Sequence, residues 1–185
     1  MKTAILAWGS LVWDKRILRI VGDWRTGGPV LPIEFSRISS DGRLTLVIDP
    51  TNGVPVPTLF ARSELEKLDD AIANLREREE TSSEKIGYVN LVANTARDYS
   101  RRQNPAACDT IRYWAQANGW EAVIWTALTS NFELARKEPF TAAVDYVGNL
   151  AGQMKTKALE YIRNAPTEVN TPVRRAISNL PEPEL

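Results

Sequence analysis

The sequence contains no histidine and only one cysteine among its 185 residues. Without imidazole there is no Ser-His-Asp or Cys-His nucleophile pair and no histidine-bearing zinc, copper or iron site. One thiol can form neither an internal disulfide nor a cysteine-rich metal site, and its isolation suits a reducing compartment. A charge excess of either sign is also missing. The 23 Lys and Arg balance 23 Asp and Glu, so no basic surplus marks a nucleic-acid partner. The apolar run at residues 3–13 is shorter than the ~20 residues of a membrane span. It contains Gly9 and Ser10, ends in Asp14-Lys15-Arg16 and offers no small-x-small cleavage site. It reads as a buried first strand and the loop after it. What remains is a cytoplasmic protein of one domain, residues 1–185, with no metal site, nucleic acid or membrane. Proton transfer at neutral pH then falls to a carboxylate, Lys, Tyr or Cys108.

What is present mixes short strands with helices. Residues 4–8 form an apolar run stopped by Gly9-Ser10. Residues 33–39 and 43–48 flank Ser40-Asp41-Gly42, turn chemistry that predicts a hairpin. Residues 24–32 and 49–57 carry Gly and Pro and read as irregular, and a strand follows at 58–62. Ser63 and Glu66 have the spacing of a capping box, and Leu65, Leu68, Ile72 and Leu75 recur at helical intervals, predicting a helix to about residue 79. Strands are expected at 87–93 and 122–128. Between them Asp109 is expected to cap a helix that Asn118-Gly119 ends. Phe140, Ala143, Val147, Leu150, Met154, Ala158 and Tyr161 predict a helical part from about 139 to 164, interrupted near Gly152. A short helix after Thr171-Pro172 precedes an exposed Pro/Glu tail. Hairpins among mixed elements indicate an α+β class rather than a doubly wound parallel sheet.

Helical geometry separates three neighbouring carboxylates. At ~3.6 residues per turn, Glu79 projects into the stripe of Leu65, Leu68, Ile72 and Leu75, whereas Glu77 and Glu80 point away from it. Partial desolvation would raise its pKa and make it a proton carrier near neutrality. The alternative is a helix that frays at Arg78 and leaves Glu79 solvated. A second candidate is the strand end Trp8-Gly9-Ser10-Leu11, whose successive N–H groups and Ser10 hydroxyl could receive a carboxylate. The alternative there is an ordinary strand-ending turn. The six Trp residues read as core, and Cys108, with only Arg112 as a nearby cation in sequence, reads as a bystander thiol.

Residues 5–13, Ile-Leu-Ala-Trp-Gly-Ser-Leu-Val-Trp, resemble the opening of the gamma-glutamylcyclotransferase superfamily, whose first strand ends in Tyr-Gly-Ser-Leu or Tyr-Gly-Ser-Asn. Leu75-Arg76-Glu77-Arg78-Glu79 followed by Gly87-Tyr88 is similar to the ChaC-type Leu-x-x-Arg-Glu and Gly-Tyr. The resemblance covers residues 3–14 and 58–90. It implies a mixed β-barrel with peripheral helices and a cofactor-free reaction on a small γ-glutamyl substrate, releasing 5-oxoproline and an amine, amino acid or peptide. It further implies that Glu79 is the catalytic acid/base, that Trp8, Gly9, Ser10 and Leu11 bind the γ-glutamyl group, and that Tyr88 borders the site. Arg37, on the hairpin, is added as a carboxylate partner without motif support. Two departures point away from glutathione as substrate: Trp8 replaces the signature Tyr, and residues 80–86 lengthen the connection to Gly87. A binding module that recognises a carboxylate without chemistry on the same fold is the alternative from another class. A third reading is an interaction protein that uses its C-terminal helices.

Overall fold

All five residues of the first strand, β1 (Thr3–Ala7), are buried, without the polar-apolar alternation of a half-exposed strand. A strand covered on both faces requires this pattern. In the computed structural model, which describes residues 1–131 and 139–178, β1 lies inside a six-stranded sheet. Its other strands are β2 (Ile20–Arg25), β6 (Leu59–Ser63), β7 (Ile86–Asn90), β8 (Thr95–Ala96) and β9 (Ala122–Thr126), in the order β2-β6-β1-β9-β7-β8. β1 runs antiparallel to β6 and parallel to β9, so the sheet is mixed. The remaining strands, β3 (Val30–Ile38), β4 (Leu44–Ile48) and β5 (Val54–Pro57), form a three-stranded sheet in the order β4-β3-β5. The chain divides into two compact units, Met1–Leu31 with Pro57–Leu128 and Pro32–Val56 with Thr129–Leu185.

In the first unit, one face of the sheet packs against α1 (Leu68–Arg78). Ile5 and Ala7 of β1, Ile124 of β9 and Ile86 of β7 meet Ala71, Ile72 and Leu75 of α1 in one apolar cluster. The period of 2 along the strands and the period of 3.6 along the helix place these residues on facing surfaces. Truncating Leu75, which is fully buried, would cost about 2–5 kcal/mol. The opposite face meets α3 (Pro105–Ala117), preceded by α2 (Asp98–Gln103). Phe60 of β6 packs edge-on against Trp114 of α3 and against Trp120. Gly87 of β7 lies directly opposite Trp125 of β9. A Cβ at Gly87 would come within 2.6 Å of the indole Nε1, so the position admits glycine alone without displacement of a buried ring.

In the second unit, β3 and β4 form the expected hairpin, closed by Gly42 at φ +79° and by Ser39 and Arg43 backbone pairing. The helices α4 (Pro139–Asn149), α5 (Gly152–Asn164) and α6 (Pro172–Ser178) follow the expected pattern, with Gly152 at φ +54° starting the second of them. Phe35 and Tyr161 meet edge to face at 6.4 Å, tying β3 to α5. Glu34 on β3 is only 4% exposed. It accepts hydrogen bonds from its neighbour's N–H, Phe35, at 2.7 Å and from Val173 in the first turn of α6 at 3.5 Å.

The α+β class stands, and several local expectations do not. The Ser63-Glu66 capping box is not formed. Ser63 remains in β6, paired with Ile20, its hydroxyl accepts from Leu65 N–H at 3.1 Å, and α1 begins only at Leu68 with no side-chain cap. Strand pairing and capping compete for the same backbone, and the sheet wins. β5 falls in a stretch expected to be irregular, and β2 begins at Ile20, where no element was expected, and runs into the stretch from residue 24 that was expected to be irregular. β2 is an exposed edge strand with Gly22 at φ +71° and a register shift between Val21 and Arg25. β5 carries two prolines, which an edge strand tolerates because it leaves N–H groups unpaired. Asp109 lies inside α3, which starts at Pro105 after Asn104. The larger sheet is open rather than a closed barrel among the described residues: its edges are the bulged β2 and the two-residue β8, which gives way to α2 after Arg97. No described helix is long and apolar enough to cross a membrane. The Pro/Glu tail lies outside the described residues.

Candidate active site

The loop leaving β1 folds back on itself. Gly9 accepts from Val12 N–H at 3.0 Å and Ser10 accepts from Asp14 N–H at 2.8 Å, and the Trp24 indole N–H donates to the Leu11 carbonyl at 3.1 Å. The carbonyls at this turn are thereby occupied. The N–H groups of Gly9, Ser10 and Leu11 meet no acceptor among the described residues. Trp8 is buried, while Gly9 and Ser10 are half-buried. Three successive open donors at the end of a buried strand are an arrangement that attracts an anionic or carbonyl oxygen.

Glu79 belongs to the same unit and follows the last residue of α1. The helix ends at Arg78, yet Glu79 keeps right-handed geometry, and its N–H still bonds to Leu75 O at 3.0 Å. The side chain therefore continues inward and is only 14% exposed, while Glu77 and Glu80 are exposed. Both the inward direction and the early helix end hold, which neither sequence alternative combined. Burial pushes the Glu79 carboxyl up from its ordinary pKa, more than the Arg78 and Arg16 cations and the Thr126 hydroxyl pull it down.

The group that connects the two features is Arg78. Its side chain, 4% exposed, donates from Nη1 to Glu79 Oε1 at 2.6 Å and from Nη2 to Ser10 Oγ at 3.2 Å. Nε and Nη2 both donate to the Asp14 carbonyl, from Nε at 3.2 Å. One guanidinium thus joins the catalytic candidate to the loop candidate. Farther out, Arg16 pairs with Glu80 at 2.7 Å and with Asp14 at 3.1 Å, and Asn74 of α1 bonds to the backbone of Ile17 and Arg19. The second half of α1 therefore holds the segment after the Ser10 turn along its length.

Thr126, at the end of β9, carries a buried hydroxyl that closes no hydrogen bond although it lies near enough to act on Glu79. Tyr88 packs against the apolar cluster beneath α1, its ring under the Arg97 guanidinium at 4.9 Å. Arg37 lies in the second unit, where Nη1 donates to the Thr129 carbonyl at 2.8 Å. Arg78 and Thr126 were absent from the sequence-based set. The signal for Arg78 was available in its position three residues after Leu75, which makes it the last member of the buried series Ala71, Ile72, Leu75 and Arg78. A cation ending an apolar stripe needs buried acceptors. Thr126 gave no such signal.

Among the described residues, no group of three or more acidic or thiol side chains is placed to hold a metal ion. Neither a family model, a curated protein nor a solved structure matches the chain. The chemistry available at the site is that of one shielded carboxylate, a guanidinium, two hydroxyls and a row of open N–H groups.

Proposed function

We propose that the protein is a gamma-glutamylcyclotransferase-like enzyme, with an open-sheet variant of that family's fold. Its substrate would be a small γ-glutamyl amine, amino acid or peptide. The substrate's α-nitrogen attacks its own γ-carbonyl carbon; the new C–N bond closes 5-oxoproline as the old γ-amide C–N bond breaks. Glu79 takes a proton from the α-ammonium, which frees the attacking lone pair, and releases it to solvent; as the ring closes it takes a second proton from the attacking nitrogen and delivers that one to the departing nitrogen, so that a neutral amine leaves and the lactam nitrogen keeps one hydrogen. Because nucleophile and electrophile share one molecule, holding the reactive conformer supplies much of the acceleration. Ser10 and the open N–H groups of Gly9 to Leu11 hold the oxygens of the γ-glutamyl group, with Trp8 beneath them and Tyr88 at the border.

The observation that carries this reading is the Arg78 bridge between Ser10 and Glu79, which unites a proton carrier and an oxygen-binding loop in one unit. The test is release of 5-oxoproline from a panel of γ-glutamyl compounds, with Glu79→Gln beside the wild type. General acid-base catalysis contributes roughly 10²–10⁴-fold, and the variant should lose that factor while keeping its fold. No turnover of any compound, or a fully active variant, removes the proposal.

A second reading, a carboxylate-binding module without chemistry, draws on the same bridge. A glutamate already paired at 2.6 Å can equally serve as the structural partner of a buried arginine. Calorimetry showing binding without product, with Glu79→Gln binding almost normally, would favour it.

A further inference from the structure

The acceptors around Arg78 impose a direction on the protons. A guanidinium has five N–H donors and no acceptor. The 3.2 Å contact between Nη2 and Ser10 Oγ can therefore only be donated by Arg78, and the Ser10 O–H proton must point elsewhere. The same side chain fixes Glu79 Oε1 and the Asp14 carbonyl, the latter through two nitrogens. Ser10 O accepts from Asp14 N–H, so Arg78 grips the Ser10 turn at both of its ends. Glu79 Oε1 is occupied by the guanidinium, and Arg78 is the only cation in direct contact with this carboxylate among the described residues. Arg16 acts on it from farther away, with Asp14 and Glu80 as its own partners. From the sheet side, Thr126 of β9 faces it with an unpartnered hydroxyl, and Tyr88 of β7 lies in the cluster below.

We propose that Arg78 is a positioning residue. It locks the Glu79 carboxylate and the Ser10 hydroxyl in one fixed relation, and it obliges Ser10 to act as a hydrogen-bond donor toward an oxygen of the substrate. The Ser10 part rests on the γ-glutamyl reading above; the hold on Glu79 does not. A lysine carries the same charge but has no planar fork, so it cannot reach Glu79, Ser10 and the Asp14 carbonyl together.

The test uses Arg78→Gln and Arg78→Lys in the full chain, with circular dichroism to verify folding. Glu79 titration is followed by ¹³C carboxyl NMR, assigned by its loss in Glu79→Gln. Steady-state kinetics use whichever γ-glutamyl compound the wild type turns over. In Arg78→Gln the Glu79 midpoint should rise by about one pH unit or more, and the acid limb of kcat/KM should move with it. In Arg78→Lys the midpoint should stay close to the wild-type value, while kcat/KM falls at least about tenfold for want of the planar fork that reaches Glu79, Ser10 and the Asp14 carbonyl together. A purely structural arginine would instead lower activity in proportion to unfolding and leave the midpoint of the folded fraction in place, which overturns the proposal. If Arg78→Gln does not fold, Arg78→Lys decides: wild-type kinetics, or wild-type affinity for L-glutamate as the binding probe, overturns it, and a loss supports it. Should the wild type turn over no γ-glutamyl compound, the functional reading fails, while the NMR titration and the L-glutamate affinity still judge Arg78.

Discussion

Arg78 and Glu79 are consecutive in the chain, yet their side chains meet, Nη1 to Oε1 at 2.6 Å. Successive residues within a helix project about 100° apart and do not face each other. The contact is possible because α1 stops at Arg78 and the arginine side chain is long enough to turn back over the helix end. It neutralises a carboxylate at a helix C-terminus, where the backbone carbonyls already disfavour negative charge. Removing Arg78 would leave the Glu79 carboxylate shielded without a cation in direct contact, a loss of about 3–5 kcal/mol in comparable pairs, whereas removing the Glu79 charge leaves Arg78 its bonds to Ser10 and the Asp14 carbonyl.

If Glu79 serves as the base of the proposed cyclisation, its raised pKa should give that reaction a characteristic acid limb. The base form is the carboxylate, so kcat/KM should fall as pH drops through the Glu79 pKa. That midpoint should lie above the ~4.3 of a solvated glutamate, because burial is the largest influence on the group. A pH-rate profile measures it. An acid limb at or below the ordinary carboxylate value would contradict the buried position.

Glu34 should make stability depend on pH in the opposite sense to a salt-bridged acid. Burial raises its pKa, ahead of the lowering by Thr171 and the Phe35 and Val173 N–H groups. The folded state then holds the proton more tightly than the unfolded one. The resulting stabilisation is complete below the unfolded pKa and is lost as pH rises through the folded value. Urea melts at several pH values should show wild type losing stability relative to Glu34→Gln as pH increases from about 4. A constant difference would refute this.

Gly87→Ala should destabilise the first unit by at least about 1–3 kcal/mol, the usual cost of overpacking. The added carbon would meet the indole of Trp125, which is almost fully buried and cannot swing out. Denaturant unfolding together with near-ultraviolet circular dichroism of the tryptophans reads both the energy and the displaced ring. An unchanged midpoint would mean that Trp125 does not lie over Gly87.

Cys108 should behave as a core residue. It is 4% exposed, and burial, with the Asp109 charge adding to it, pushes its thiol up to about 11. Only the thiolate reacts with disulfide reagents. Labelling at pH 8 should be at least about 10²-fold slower in the native protein than in denaturant. Fast native labelling would place the thiol in a different environment.

Much of the local structure was legible because it depends on short-range chemistry. β1 was visible as an apolar run closed by Gly9-Ser10, the hairpin as two β-rich stretches around Asp41-Gly42, and the break between α4 and α5 at Gly152. Ser63 misled because its helix-capping chemistry is outweighed by pairing with Ile20, a residue 43 positions earlier in the chain. β2 and β5 were missed for a related reason: an edge strand needs only one neighbour and little burial, so it leaves almost no pattern of its own.

The sequence by itself determined what any proton-transfer chemistry would have to be made from. Lacking histidine, with one cysteine and balanced charge, it restricted proton transfer to a few side chains, and the helical period singled out Glu79 among its acidic neighbours. Only the tertiary structure decided that Arg78 joins that carboxylate to Ser10, 68 residues away in sequence, and that the Thr126 hydroxyl stands beside it. Periodicity reports which face of an element is buried. It carries no information about which buried groups from different elements share one donor, because that depends on how β1, β9 and α1 pack together.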